Sequence, residues 1–309
     1  MKIKKENFTY KDFLENYPND KVCLDKFFKL RYSSQEKCSA CDKKFSYSPI
    51  QDGKYYQCAR CANKISPLAH TIFHKSSTSL QTWFLAIFLF THSKNGVSAK
   101  ELQRITGVTY KTAWRMCKHI RELFKEINAD MLKGIVEIDE TYVGGKESNK
   151  HKDKKTPNNQ GRSLKTKSAV IGALERPGKI VAKVVKDTKS STVTPFIHKH
   201  IDIKAEVKTD EYNAYNGLSK AGYDHNTVNH ENGEYVNGDT HTNCLEGFWS
   251  QLKRSVNGTY HCVSPKYLQA YVDEFAYRYN HRGDLQPLFG NILSNAVQLA
   301  LKKDQTETC

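Results

Sequence analysis

The chain has 309 residues, with 48 lysines and arginines against 33 aspartates and glutamates, a formal charge of +15. That balance points to a polyanionic partner, double-stranded DNA first, and is silent about fold. Hydrophobic residues make up 38% of the chain, which excludes a disordered protein and suits two or three domains with at least one sizeable core.

The start, Met1-Lys-Ile-Lys-Lys-Glu6, is polar and charged with no apolar signal core, so a cytoplasmic, nucleoid-associated protein is expected. Residues 1–30 read as an N-terminal helical segment, with Cys23 in a core. Residues 31–75 carry Cys38-Ser-Ala-Cys41 and Cys58-Ala-Arg-Cys61, separated by 16 residues. Two such knuckles can close a tetrahedral four-thiolate zinc site, with a hairpin between them around Pro49 and Gly53; that makes a zinc ribbon. A fully coordinated zinc is structural and leaves no open position for chemistry. Nine cysteines in all, clustered in this way, fit metal binding in a reducing compartment better than a disulfide framework.

Residues 76–130 turn helical. Thr78-x-x-Gln81 resembles a capping box ahead of the apolar run Trp83–Phe90, which at eight residues is far shorter than the roughly 18–20 a membrane span needs. It reads as a buried helix, and no membrane partner is expected. Ser98–Ile105, the turn Thr106-Gly-Val108 and Thr109–Ile120 have the spacing of a helix-turn-helix, with Ser98 and Thr109 as caps. On the second helix Lys111, Arg115 and Lys118, with Tyr110 and His119, are placed to meet DNA, while Ala113, Met116, Cys117 and Ile120 pack inward. An ordinary helical hairpin with a solvated basic face is the plainer alternative.

Residues 131–285 hold the acids. Gly134–Gly145 is a run of strand formers ending in a Gly-Gly turn, with Asp139 near its middle. A carboxylate among apolar strand residues needs a partner or a metal. Glu140 alternates to the opposite strand face and is a weaker candidate. Lys146–Lys167 has eight basic residues against two acidic ones and reads as a mobile basic loop suited to a phosphate backbone. Strands follow at Ser168–Leu174 and Lys179–Val185 across a Glu175–Gly178 hairpin, then a helix at Ser191–His200. The next strand, Ala205–Asp210, also closes on an acid. A short helix near Tyr212 and an extended piece at His225–His230 precede the helical stretch Asn243–Arg254, which carries Glu246. Asp139, Asp210 and Glu246 would bring two strands and a helix together on divalent cations that serve phosphoryl transfer. The order of elements matches, by analogy, a ribonuclease H-like arrangement with a mixed α/β (α+β) sheet. Tyr267–Arg282 reads as a packing helix, and residues 286–309 as a last amphipathic helix and tail.

The four-cysteine ribbon, Ile138-Asp-Glu-Thr-Tyr-Val-Gly-Gly145, Lys208-Thr-Asp-Glu-Tyr-Asn-Ala-Tyr215, His241–Arg254 and Tyr277-Arg-Tyr-Asn-His-Arg282 resemble insertion-sequence transposases of the IS1595 family, the ISXO2-like group. The resemblance spans nearly the whole chain. It implies a DDE-type enzyme that cuts and joins DNA at the ends of its element with magnesium or manganese, behind a zinc ribbon and a helix-turn-helix-like region. Such enzymes work as multimers on paired ends, so at least a homodimer on DNA is expected. Members of this group carry either Asn or Glu as third metal ligand, and this sequence offers both Asn243 and Glu246, one helical turn apart. Glu246 is favoured as the harder, charged oxygen ligand and because Lys253 follows two turns along the same face; Lys253 and Arg254 then suit the phosphate near the scissile bond. His241 reads as a positioning residue and Trp249 as core. The reading of a different class is a DNA-binding regulator with an idle acid triad; a structure-selective nuclease is a third.

Overall fold

The computed structural model describes residues 7–51, 53–126, 130–144, 151–156, 163–228 and 241–307. They fall into two compact units, residues 1–124 with 284–309, and residues 125–283.

In the first unit, α1 (Tyr10–Asn16) and α2 (Asp20–Tyr32) are capped by Thr9 and Asn19, whose side chains accept the Asp12 and Val22 amides. Three short strands follow, β1 (Tyr47–Ile50), β2 (Tyr55–Cys58) and β3 (Lys64–Ile65), in one antiparallel sheet. The expected hairpin between the knuckles is the β1–β2 pair. The two knuckles have the same backbone form. The Cys38 and Cys58 amides donate to the carbonyls of Lys43 and Asn63, and the Asp42 and Ala62 amides return to the carbonyls of Cys38 and Cys58. Asp42 and Ala62 both take positive φ, at 52° and 58°, which folds each Cys-x-x-Cys back on itself.

The sulfurs of Cys38, Cys41, Cys58 and Cys61 all lie within 4.8 Å of one another. A tetrahedron with Zn–S bonds of about 2.3 Å has an edge of about 3.8 Å, and Cys38 Sγ stands 3.7 Å from Cys61 Sγ. The donor set and its spacing therefore fit zinc. The Tyr47 hydroxyl, 3.0 Å from Cys38 Sγ, and the Ala40 and Cys41 amides hold the Cys38 thiol down to about 6. The Arg60 and Cys61 amides lower Cys58 in the same way, whereas Cys61, despite the Asn63 amide, is pushed up to about 12 by burial and its hydrogen bonds to the Cys41, Cys58 and Cys38 sulfurs, so Cys38 and Cys58 are the two thiols readied for a cation.

The helix α3 (Leu80–His92) buries Trp83, Phe84, Ala86, Ile87 and Phe90; a helix apolar on nearly every side has no other stable place. Its cap is not the expected Thr78 box. Ser79 accepts the Thr82 amide, while the Gln81 amide goes to Asp20 Oδ1 and its side chain to the Tyr17 carbonyl. Gln81 is spent on the preceding helices, so the box cannot close. Further on, α4 (Ala99–Thr106) and α5 (Tyr110–Glu122) are capped by Ser98 and Thr109 and joined through Gly107 at φ 72°. Leu102, Ala113, Met116, Cys117 and Ile120 are buried between them and α3, and Lys111, Arg115 and Lys118 are exposed. The C-terminal α9 (Leu288–Glu307) returns to this unit against α2 and α3, where the Phe289 ring packs on Tyr17 and Phe13.

The second unit is a five-stranded sheet in the order β6-β5-β4-β7-β8, made of β4 (Ile135–Gly144), β5 (Lys167–Arg176), β6 (Ile180–Val185), β7 (Glu206–Asp210) and β8 (Asp224–Val228). The first three pair antiparallel, and β4, β7 and β8 run parallel. The helix α6 (Ser190–His200) crosses from β6 to β7 and covers one face, where Val136, Ile138, Ile171, Ala173 and Val207 meet Val193, Phe196, Ile197 and Tyr215. Helices α7 (Asn243–Ser255) and α8 (Pro265–Asn280) cover the other, where Val143, Val170, Leu174 and Ile180 meet Leu245, Phe248, Trp249, Leu252, Val272 and Phe275. Strand alternation sorts the two cores. Most of the expected basic loop, and the end of the piece expected at His225–His230, lie outside the described residues; within them Lys152–Lys154 form one 3₁₀ turn. Among the described residues no helix is long and apolar enough to cross a membrane.

A ribbon of three short strands buries too little to hold itself together, so its metal is expected to carry its folding. Cys58→Ser should purify with less than one zinc per chain by elemental analysis and lose amide protection in Tyr47–Cys58, at a cost of several kcal/mol. Retained protection without zinc would contradict this.

Candidate active site

Strand β4 presents Glu137, Asp139 and Thr141 to the α7 face and Ile138 and Glu140 to the α6 face. Glu140 is there held by the Tyr215 hydroxyl at 2.9 Å, while it still borders the cleft that Asp139 lines. Asp139 is half-buried, opposite Gly172 on β5. Its Oδ2 accepts the Trp249 indole N–H at 3.1 Å. The sequence identified Trp249 only as core, and it is 4% exposed; its second role as donor to Asp139 carried no sequence signal.

Gly172 makes that approach possible. A Cβ there would stand 2.6 Å from Trp249 Cζ2 and 3.2 Å from Leu245 Cδ1, so the indole lies on bare backbone beside the acid.

Asp210 ends β7. The β4–β7 register pairs Glu137 with Lys208, and Asp139 and Asp210 each come two residues later on the same side of parallel neighbours. Burial raises the Asp139 carboxyl to about 7, with the charges of Glu140 and then Asp210 pushing the same way and the Trp249 donor opposing. Asp210 Oδ1 accepts the Tyr212 amide at 3.1 Å.

An open cleft of about 720 Å³ lies between β4 and α7, lined by Asp139, Glu140, Thr141, Glu246, Trp249, Ser250, Lys253, Arg254, Asn257 and Gly258. It gathers four of the expected residues: Asp139, Glu246, Lys253 and Arg254. Asp210 and Asn243 are not in its lining; Asn243 is the exposed first residue of α7. Lys253 is exposed, yet desolvation at the cleft lowers its amine, with the Asp139 charge pulling back the other way. Among the described residues, the four cysteines are the group of metal-ligating side chains whose donor atoms crowd within 4.8 Å. The three acids stand on adjoining elements without closing to that distance.

Sequence reasoning missed Glu137 and Arg176. Glu137 has no exposed surface, and Arg176 Nε meets its Oε1. An acid two residues before Asp139 on a buried strand was the available signal.

Comparison with known families decides whose cleft this is. Residues 131–280 match the ISXO2-like transposase domain and residues 18–64 the zinc-ribbon domain of the same transposases. The chain belongs to the IS1595 family. It is also 27% identical over 283 residues, 86% of this chain and 92% of the other, to an uncharacterized protein in the transposable element ISH50 of Halobacterium salinarum. The IS1595 transposase match begins just before β4 and ends with α8, so it takes in Asp139, Asp210, Asn243, Glu246 and the whole cleft. The ribbon match takes in all four cysteines.

Two outcomes follow from this packing. Gly172→Ala should destabilise this IS1595 domain by about 1–3 kcal/mol, because the indole cannot yield as a flexible chain end would; a urea midpoint equal to wild type would contradict the tight fit. The second concerns Asp139. Its folded value lies above the ordinary 3.8, so its ionisation costs the fold stability as pH rises from about 4 to about 7 and the full cost persists above. Asp139→Asn should therefore unfold at higher urea than wild type, with zinc kept and no other divalent cation added. The gap should widen by about 1–2 kcal/mol between about pH 5.5 and about pH 8; a pH-independent gap would refute the burial argument.

Proposed function

We propose that the chain is a DDE-type transposase whose ribonuclease H-like domain, residues 131–285, cuts and joins DNA strands at the ends of its insertion sequence. The observation that carries the reading is the cleft that Asp139 and Glu246 line together with Lys253 and Arg254. The mixed sheet, three antiparallel strands followed by two parallel ones, supports the ribonuclease H-like reading by analogy.

Asp139, Asp210 and Glu246 would hold magnesium or manganese. The fit rests on chemistry: all three are hard oxygen donors, and the charge crowding that raises Asp139 is what a divalent cation relieves. When bound, two cations supply the Lewis acidity that an in-line displacement at phosphorus needs on its attacking and leaving oxygens. Water or a DNA 3′-hydroxyl attacks, a new P–O bond forms, and the old P–O3′ bond breaks with the proton passing to the departing oxygen. Lys253 and Arg254 hold the phosphate by its free oxygens. Trp249 holds the Asp139 carboxylate in place through Oδ2. Glu246 is the third ligand in this reading and Asn243 its neighbour.

Recognition belongs to the ribbon, residues 31–75, and the helical region, residues 76–130. Lys111, Arg115 and Lys118 lie on the exposed face of α5, the helix that in a helix-turn-helix enters the major groove. The chain acts on two element ends as a homo-oligomer, in the cytoplasm on the nucleoid.

The test is strand cleavage and joining on duplexes carrying the flanking terminal repeats, with Mg²⁺ or Mn²⁺. Wild type should nick at the repeat boundary; Asp139→Asn, Asp210→Asn and Glu246→Gln should lose activity by roughly a thousandfold or more, the several kcal/mol that metal charge stabilisation supplies, while Asn243→Ala retains it. Tight binding without cleavage by wild type would favour the regulator, and equal cleavage of unrelated or branched DNA the nuclease.

A further inference from the structure

Helices α1, α2, α3, α4 and α5 each carry their own side-chain cap. The helices of the second unit do not: α6 and α8 lack a side-chain cap, and in α7, which bears Glu246, the N-cap Thr242 makes no side-chain cap bond. The acceptor comes instead from another element. Glu137 Oε2 accepts the Leu245 amide at 2.9 Å, and Leu245 is the residue before Glu246.

Glu137 is itself held from the other side. Its Oε1 meets Arg176 Nε, and Arg176 Nη2 reaches on to the His241 carbonyl at 2.5 Å and His241 Nδ1 at 2.7 Å. One guanidinium thus fixes both the carboxylate that caps α7 and the residue that leads into it. A planar fork with several donors is suited to such a double grip.

The placement matters more than the pairing. Glu137 and Asp139 are two residues apart on one face of β4, about 7 Å along the strand. Trp249, one turn after Glu246, returns to Asp139. Helix α7 is therefore tied to β4 on both sides of Glu246, at Leu245 through Glu137 and at Trp249 through Asp139.

We propose that Glu137 is the positioning residue of the acid site: it caps α7 from the strand that bears Asp139 and so fixes where Glu246 stands relative to Asp139. Arg176 and His241 complete the clamp. This rests on the reading of Asp139 and Glu246 as ligands given above. Glu137 touches no substrate in this role; it acts through Glu246.

A buried ion pair that merely supports the fold would give a different pattern, and the molecule supplies the control. Glu274 on α8 is equally inaccessible and pairs with Arg278, four residues on along the same helix, at 2.7 Å. The experiment uses full-length, zinc-loaded protein without DNA, and compares wild type, Glu137→Gln, Glu137→Ala, Asp139→Asn and Glu274→Gln. Two quantities are read: Mn²⁺ affinity by electron paramagnetic resonance, and hydrogen exchange at the Leu245 and Glu246 amides.

Glu137→Ala should weaken the Asp139-dependent Mn²⁺ site by roughly 10–100-fold, the usual cost of losing a group that orients a ligand, and speed exchange at both amides. Glu137→Gln keeps an acceptor for Leu245 and should fall between, and it alone decides the matter if Glu137→Ala does not fold. Glu274→Gln should leave both readouts at wild-type values whatever it does to the unfolding midpoint. Wild-type affinity and exchange in a folded Glu137 variant would overturn the proposal, as would a Glu274→Gln effect of the same size. If wild type shows no Mn²⁺ binding lost in Asp139→Asn, it is the ligand assignment that fails, and the amide exchange still decides whether Glu137 caps α7.

Discussion

A carboxylate inside a protein must be met by an opposite charge or by hydrogen-bond donors, and β4 places two of them, Glu137 and Asp139, on one face under a single helix. They are met in opposite ways. Glu137 receives a guanidinium and a helix-end amide and is fully satisfied without leaving the interior. Asp139 is half-buried beside the charges of Glu140 and Asp210, and the Glu140 amide and the Trp249 indole N–H offset them only in part, so its carboxyl rises. The first arrangement stores rigidity; the second stores a demand for positive charge. Both depend on α7 lying close to the sheet, which in turn depends on the absence of a side chain at Gly172.

The ribbon solves a similar problem with sulfur. Four cysteines crowd within 4.8 Å, and the Tyr47 hydroxyl together with backbone amides from both knuckles favours thiolates at Cys38 and Cys58. That set of donors is complete, with every position of a tetrahedron filled by protein. The acid cleft is open by comparison, lined by Asp139 from β4 and by Glu246, Lys253 and Arg254 from α7. A closed sulfur site suits structure, and an open oxygen site suits exchange of ligands with a substrate.

Much of this was legible because it follows from short-range rules. The knuckle spacing dictates the ribbon, and the caps Ser98 and Thr109 with Gly107 between them dictate the α4–α5 turn. The run of β-branched residues around Asp139 dictates a buried strand, and alternation alone sends Glu140 away from Asp139. What was not legible arises between elements distant in sequence. Thr78 has the pattern of a capping box, but Gln81 is drawn off by Tyr17 and Asp20, more than 60 residues earlier. Glu137 looks like any strand acid until Arg176 and Leu245 are brought to it by the β4–β5 register and the docking of α7. Trp249 is core by composition, and only the gap over Gly172 turns its polar edge toward Asp139.

The choice between Asn243 and Glu246 shows where sequence periodicity stops and packing takes over. One turn separates them, so spacing alone treats them alike. The helix is rolled into place by Leu245, Phe248, Trp249 and Leu252, all buried against the sheet. Its flank facing the cleft is then the stripe Glu246, Ser250, Lys253, Asn257, at steps of four, three and four residues, and these four all line the cleft. Asn243 begins the helix one turn before that stripe, exposed and outside the lining. The seven-residue step from Glu246 to Lys253 brings the acid and the base back to nearly the same helix angle. The apolar side of α7 thereby sets which polar residues share the cleft with Asp139, and it brings Glu246 there and leaves Asn243 outside.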